Sequence, residues 1–426
     1  MAVFAQRRPA EPAAINPNRS LWLLTIAHAI NHAQAALLPL VFLQIIRDFD
    51  VSVTDIAYLA AAGSFLSGAV QFTFSWLTRR FARRTLLGWG NIIFGGFMAL
   101  QGLATSFATF GAANILSRIG AAQQHPVGNG LLAEQFPPHR RGFAISVHIA
   151  GGNIGTVAVP LVGLWLIVGV GWQMTVVLFG IPAVLIGIAM LAWIRETGTD
   201  RAAALAHGSL RDAFRTIVHD RDLLLTYLSS VLGGGARGLG VLNIFVPLYL
   251  KFALGYDDGH IALMLTVLLA GSVPAPIIAG WLSDRFGRRA LIVAVYLGGA
   301  AALAAFVLAG SDPLLVWLGV ILLSVFNFVE SPQLQALLAD ISLPSIRDAS
   351  FSVYFTLAFG VGSLWTAVYG AMIHKGSEAT DLPLVFWLMA AAFIAAALTV
   401  LPIRADQRTA EVQAAERDLQ QGESQP

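Results

Sequence analysis

The chain has 426 residues and a net charge of +2; hydrophobic residues make up 57% of it and charged residues 12%. Soluble domains carry about twice that share of charge, so this composition excludes a soluble enzyme, a disordered chain and a fibrous one. The absence of cysteine also excludes a disulfide scaffold, a thiolate nucleophile and a zinc–cysteine site.

An apolar helix needs about 20 residues to cross the hydrocarbon core. In chain order, twelve stretches meet that need: 21–46, 54–77, 85–107, 109–135, 142–168, 172–194, 223–250, 259–282, 290–310, 313–341, 349–373 and 382–403. They are numbered spans 1 to 12. No short alternating segments suggest a membrane barrel. Residues 1–20 form a polar, arginine-bearing tail, and the apolar run after them is too long for a signal-peptide core. Residues 195–222 form the only sizeable loop, and 404–426 form a polar tail expected to be a frayed helix. The expected product is an all-α membrane protein. Its parts are a tail (1–20), a six-helix bundle (21–194), a linker (195–222), a second six-helix bundle (223–403) and a second tail (404–426).

Basic residues fix the expected orientation. With both termini cytoplasmic, only Arg47, Lys251 and Lys375 of the 26 lysines and arginines face the opposite side, and Arg118 and Arg237 lie inside spans. The remaining 21 are cytoplasmic. This asymmetry explains the basic balance without a nucleic-acid partner. It implies a multi-pass protein of the cell inner membrane.

The halves repeat. Residues 75–84 (SWLTRRFARR) align with 280–289 (GWLSDRFGRR), and 131–134 (LLAE) with 337–340 (LLAD). Glu134 and Asp340 are each followed, after six intervening residues, by an arginine: Arg141 and Arg347. Parallel repeats of this kind place a substrate site between the halves, near the bilayer midplane. On these motifs the chain resembles the major facilitator superfamily. The loop at 280–289 matches that family's G-x-x-x-D-R-x-G-R-R pattern, whereas its first-half copy is degraded, with Arg79 where an acid is usual. The resemblance implies twelve transmembrane helices in two pseudo-symmetric six-helix bundles, the major facilitator fold. His125-Pro126 and residues 151–155 (GGNIG) are further similar to the fosmidomycin-resistance branch of drug exporters.

Charges inside a membrane are costly unless they face a cavity or a partner. The in-span ionisable set is His28, His32, Arg118, His125, His148, Arg237 and Glu330. Helical spacing puts His28, Asn31 and His32 on one face of span 1, and Arg118, Ala122, His125 and Asn129 on one face of span 4. It puts Asn327 and Glu330 together on span 10. The family resemblance implies that spans 1, 4, 7 and 10 line the central cavity. Arg237, Arg118, His32, Asn31, His125 and Asn327 are therefore the candidate substrate-binding residues. The arginine fork suits carboxylates and phosphates, so Arg118 and Arg237 could clamp an anion from both halves. The alternative is that Arg237 pairs permanently with Glu330. Glu330, the one acid well inside a span, leads the candidates for proton coupling, with His32 and His125 behind it.

His28 and His32 have the i, i+4 spacing of a metal-binding helix, but any third ligand must come from another span. Polar cavity lining is the expected role, with no metal site and no cofactor. His148 is expected to be a satisfied interior histidine.

At the cytoplasmic ends, Asp284, Arg285, Arg288, Arg79, Glu134, Arg141, Asp340, Arg347 and Asp348 are expected to form a gate. Arg79 would pair with Asp348, and Asp284 with Arg141 or Arg140. The expected function is secondary transport by alternating access. It is proton-coupled and moves a small organic anion or an anionic or amphiphilic drug, with efflux favoured over uptake by symport. The substrate, protons and the bilayer are the expected partners of a monomer. A sensor without flux is the remote alternative. No P-loop, paired acids or serine elbow points to ATP use or catalysis.

Overall fold

A computed structural model describes residues 15–78, 80–136, 138–157, 159–196, 210–343, 346–412 and 414. The described residues are almost entirely helical, and no strand occurs among them. The first bundle comprises α1 (Pro17–Asp48), α2 (Val53–Leu77), α3 (Arg83–Gln101), α4 (Phe107–Ala121), α5 (Gln124–Gln135), α6 (Pro138–Val157) and α7 (Val159–Trp193). A short helix, α8 (Leu210–His219), lies in the central segment. The second bundle comprises α9 (Arg221–Gly233), α10 (Asn243–Leu248), α11 (Asp258–Ala270), α12 (Pro274–Phe286), α13 (Arg288–Leu308), α14 (Pro313–Phe326), α15 (Glu330–Ile341), α16 (Arg347–Phe355), α17 (Leu364–Ala371) and α18 (Glu378–Val400).

Local signals fix several ends. Asn16 caps α1, accepting from the Arg19 N–H at 3.0 Å, with Pro17 in the first turn. Ser52 and Asp55 form a reciprocal capping box on α2, which satisfies two otherwise orphaned N–H groups.

Nine stretches among the described residues are long and apolar enough to cross a membrane. Spans 3, 4 and 5 are the expected ones that do not stand alone in that set, each for a visible reason. Span 3 is carried by α3, which opens on Arg83 and Arg84 and ends at Gln101. Span 4 is divided between α4 and α5. The end of span 5 runs into span 6 within α7, and the chain reverses at Gly171, where φ is +81°. That is a left-handed geometry suited to glycine, and it falls in the gap expected between spans 5 and 6.

Spans 7, 8, 10 and 11 are each interrupted. Span 7 passes from α9 through a 3₁₀ turn (Gly234–Ala236) to an extended Arg237 and a π-helical turn (Gly238–Leu242) before α10. Span 8 breaks between α11 and α12, and span 10 between α14 and α15. Span 11 breaks through a π-helical turn (Thr356–Gly360) and a 3₁₀ turn (Val361–Ser363). The span 7 break has a tertiary cause: the Gly238 N–H donates to the Asn327 carbonyl at 2.7 Å, across to span 10, rather than along its own helix.

The bundles meet along two related seams, α2 against span 11 and the α6–α7 region against α11. In the first seam a Cβ on Gly68 would stand 2.3 Å from the Gly360 nitrogen, so the backbones touch there. In the second, the Asn153 amide donates to the Ser272 carbonyl at 3.1 Å. At the end bearing the α1–α2 loop, Thr54 donates to the Gly370 carbonyl at 2.8 Å, and Lys375 pairs with Asp50 at 2.8 Å. At the other end of the second bundle, Arg404 pairs with buried Asp222 at 3.3 Å, and Arg408 with Asp220. These pairs fasten the start of the C-terminal tail, helical over 405–412, to the start of span 7.

Candidate functional site

The in-span polar groups fall into two sets, one in each bundle. In the second, Arg237 is buried and its Nε donates to Glu330 Oε1 at 2.6 Å. Its Nη1 donates to the Ala358 carbonyl at 2.9 Å and its Nη2 to the Ser230 carbonyl at 3.1 Å. Every guanidinium nitrogen is thus engaged within the bundle, the arrangement the fixed-pair alternative foresaw. Glu330 Oε2 is buried and has no hydrogen-bond partner. Asn327 is buried too, its amide donating to the Ala236 carbonyl at 3.0 Å. It stands at the span 10 break and does not face an open cavity.

Arg118 differs. It is half-buried, and its Nε and Nη1 donate to Asn114 Oδ1 and Ser64 Oγ, both at 3.1 Å. Both partners are neutral, and among the described residues no carboxylate pairs with it. Gly63 makes room for it on α2, since a Cβ there would stand 2.5 Å from Arg118 Cδ. Unspent donors on a charged fork inside a membrane are an anion-binding resource.

The four in-span histidines converge. The His28 ring lies 4.5 Å from that of His32, 4.9 Å from His125 and 4.4 Å from His148, centroid to centroid. Close approach of α6 to α1 makes this possible: a Cβ on Gly152 would stand 2.7 Å from the His28 ring, and one on Gly155 2.3 Å from the Ala29 carbonyl. Glycine here serves helix contact. His148 is fully buried, as an interior histidine, and its ring stacks on that of His28.

Two residues missed by sequence reasoning connect the sets. Phe355 and Phe359, from span 11, stack nearly parallel at 5.8 Å. Each also lies nearly parallel to His125, at 6.3 and 6.2 Å. The Arg237 guanidinium carbon lies 5.8 Å from the Phe359 ring. The i, i+4 spacing of Phe351, Phe355 and Phe359 is present in the sequence, but an apolar stripe at that spacing is also what plain helix packing gives. Asn31 and His32 are half-buried on α1, and the His32 ring lies 6.5 Å from that of His125.

Of the expected gate, Arg288 is seen pairing with Asp340 at 2.8 Å and reaching Ser283. Arg285 is exposed beside Trp281 and Phe286. Arg79 and the side chains of Glu134, Arg140, Arg141, Asp284, Arg347 and Asp348 lie outside the described residues.

Two helical bundles meeting around interrupted helices, with buried charge at the breaks, have the architecture of a membrane transporter. The model of the Major Facilitator Superfamily matches residues 24–257 and 236–423. The chain belongs to that superfamily. It is 25% identical over 393 residues to the cis,cis-muconate transport protein of Acinetobacter baylyi, covering 90% of this chain and 93% of the relative. It is 22% identical to a 4-hydroxybenzoate transporter of Pseudomonas putida, over 52% of this chain and 56% of the relative. Among solved structures, a D-xylose-proton symporter superposes with a TM-score of 0.72 at 18% identity, covering 90% of this chain and 96% of that one. This last likeness concerns the fold alone.

Proposed function

We propose that the protein is a proton-coupled secondary transporter of a small organic anion, with Arg118 as the anion anchor. The observation that carries this reading is the contrast between the two arginines. Arg237 is neutralised and saturated within its own bundle, whereas Arg118 keeps donors free and has only neutral partners. Asn31, His32 and His125 are further half-buried polar groups of the first bundle, and Phe355 and Phe359 set flat apolar faces beside His125, surfaces suited to a planar carboxylate. The relatives named for cis,cis-muconate and 4-hydroxybenzoate support a carboxylate of this kind.

Proton coupling is assigned to Glu330. Its free Oε2 is where a proton would enter, and protonation would weaken the bond to Arg237. Breaks in spans 7, 10 and 11 surround that pair, so releasing it would free the segments that must move in alternating access. The resemblance of His125-Pro126 and residues 151–155 to drug exporters favours efflux in exchange for protons. At the end bearing the termini, the charged loop residues, with the Arg288–Asp340 pair among them, would hold the closed state.

Proteoliposomes with a trapped pH dye test the reading. Carboxylates, phosphonates and amphiphilic cations are added in turn to wild type, Glu330→Gln and Arg118→Gln. Proton movement triggered by carboxylates and lost in both variants is expected. Its sign separates exchange from symport. A response to cations alone would overturn the anion site, and carboxylate flux without proton movement would overturn the coupling.

A further inference from the structure

The histidine cluster is larger than an anion carrier needs. One ligand nitrogen from each of His28, His32 and His125 lies within 4.8 Å of the others. His28 and His32 come from one face of α1 and His125 from the start of α5, beside the break in span 4. The sequence offered two ligands at helical spacing and lacked a third, and the fold supplies it.

A second observation points to a ligand. His28 Nδ1 lies 2.9 Å from the His148 carbonyl oxygen. A carbonyl only accepts, so Nδ1 carries the proton and Nε2 carries the lone pair. That Nε2 is buried and unpartnered, and so is His32 Nδ1. A histidine whose far nitrogen is anchored on a backbone carbonyl while the near one is left bare has the arrangement of a metal ligand. Leaving such atoms bare inside a protein is costly. Packing alone offers no reason to gather them.

We infer that His28, His32 and His125 form an intramembrane binding site for a divalent transition cation of the zinc, cobalt or nickel class. The donor set selects the ion. Three neutral imidazoles without a thiolate or a carboxylate suit borderline cations and reject magnesium and calcium, which require oxygen. Zinc–nitrogen bonds of about 2.0–2.1 Å put tetrahedral ligand atoms about 3.3 Å apart. The three rings therefore need to close by about 1.5 Å, within reach of side-chain rotation. His148 sits behind His28 and holds it through its carbonyl, as a positioning residue.

The test uses the full-length chain without a histidine tag, stripped with chelator and titrated with Co2+ in detergent. One saturable Co2+ per chain, with the visible absorption of a low-coordinate nitrogen site and displacement by Zn2+, is expected. His32→Gln and His125→Gln should each weaken binding by 100-fold or more. His260→Gln and His374→Gln, at exposed histidines, should leave it unchanged. X-ray absorption of the zinc-loaded wild type gives a readout that needs no variant, and it should show at least three imidazole nitrogens on the ion. Absence of saturable binding, equal binding in all four variants, or an oxygen-dominated shell would overturn the site.

Discussion

Arg237 and Glu330 stand 2.6 Å apart inside the second bundle, both nearly withdrawn from solvent. The rest of the guanidinium is spent on carbonyls of the same bundle. Removing one partner of such a pair leaves an uncompensated charge and costs about 3–5 kcal/mol. Glu330→Ala should therefore lower the thermal midpoint in detergent sharply, and Glu330→Gln should lower it less. The double replacement Arg237→Met with Glu330→Leu should recover much of the loss while leaving the chain unable to couple protons to substrate. Thermal unfolding and proton flux, measured on the same preparations, check both halves of the expectation. A double variant that still moves protons with substrate would remove Glu330 from the coupling step.

Arg118 should behave in the opposite way. Its partners Asn114 and Ser64 are neutral, so Arg118→Gln strands no buried carboxylate and should leave the thermal midpoint near that of wild type. Loss of a charge-assisted hydrogen bond costs about 1.5–3 kcal/mol, equivalent to a rise in KM of about 10–100-fold. Arg118→Lys should recover part of it, because a point charge cannot reproduce the fork. Gly63→Ala provides a check from the neighbouring helix. Its new Cβ would collide with Arg118 Cδ, so KM should rise although no polar group is removed.

These two arginines mark how far the sequence could be read. That both lie inside spans, one in each half, was visible from apolar run length, whereas the division of span 4 between α4 and α5, which separates Arg118 from His125 and Asn129, was not. The turn at Gly171 was visible as a gap between runs. What spacing could not decide was which arginine is spent, because Ser230 and Ala358 engage Arg237 through backbone carbonyls and carbonyls carry no side-chain signature. The break in span 7 was hidden for a related reason. The competing acceptor is the carbonyl of Asn327, remote in sequence. The gathering of four histidines needed α6 to touch α1, which periodicity within one helix cannot report.

Phe355 and Phe359 bear on which anions are carried. Their parallel stacking with each other and with His125 offers flat apolar surface, and contacts of that kind are worth about 0.5–1.5 kcal/mol beyond area burial. Phe359→Ala should therefore raise KM for a planar conjugated carboxylate by about 2–10-fold and change KM for a short aliphatic carboxylate little. Phe359→Tyr should retain most of the affinity. Competition between benzoate-type and acetate-type carboxylates in the proteoliposome assay measures the ratio directly. An equal change for both would show that the rings serve packing and not selection.

Asp50 and Lys375 bridge the bundles at one end, outside the membrane-spanning helices. The hydrogen bond and charge of Lys375 hold the Asp50 carboxyl below its ordinary range, and Asp50 in turn holds the Lys375 ammonium above its own. The signs set a window. The contribution of Asp50 to closure is complete above its ordinary pKa, about 3.9, and is lost as pH falls through the lowered value. The contribution of Lys375 is complete below its ordinary pKa, about 10.4, and is lost as pH rises through the raised value. Closure at this end should thus be insensitive to pH between about 4 and 10. Any pH dependence of transport inside that window must then come from elsewhere in the protein. Both groups are exposed, so salt should weaken the bridge. Spin labels placed beside the pair, on the naturally cysteine-free chain, should report a larger open fraction in Lys375→Glu than in wild type. The exchanged pair Asp50→Lys with Lys375→Glu should restore the closed fraction. If the exchange restores nothing, Thr54 and its carbonyl contact at Gly370 hold this end without the charges.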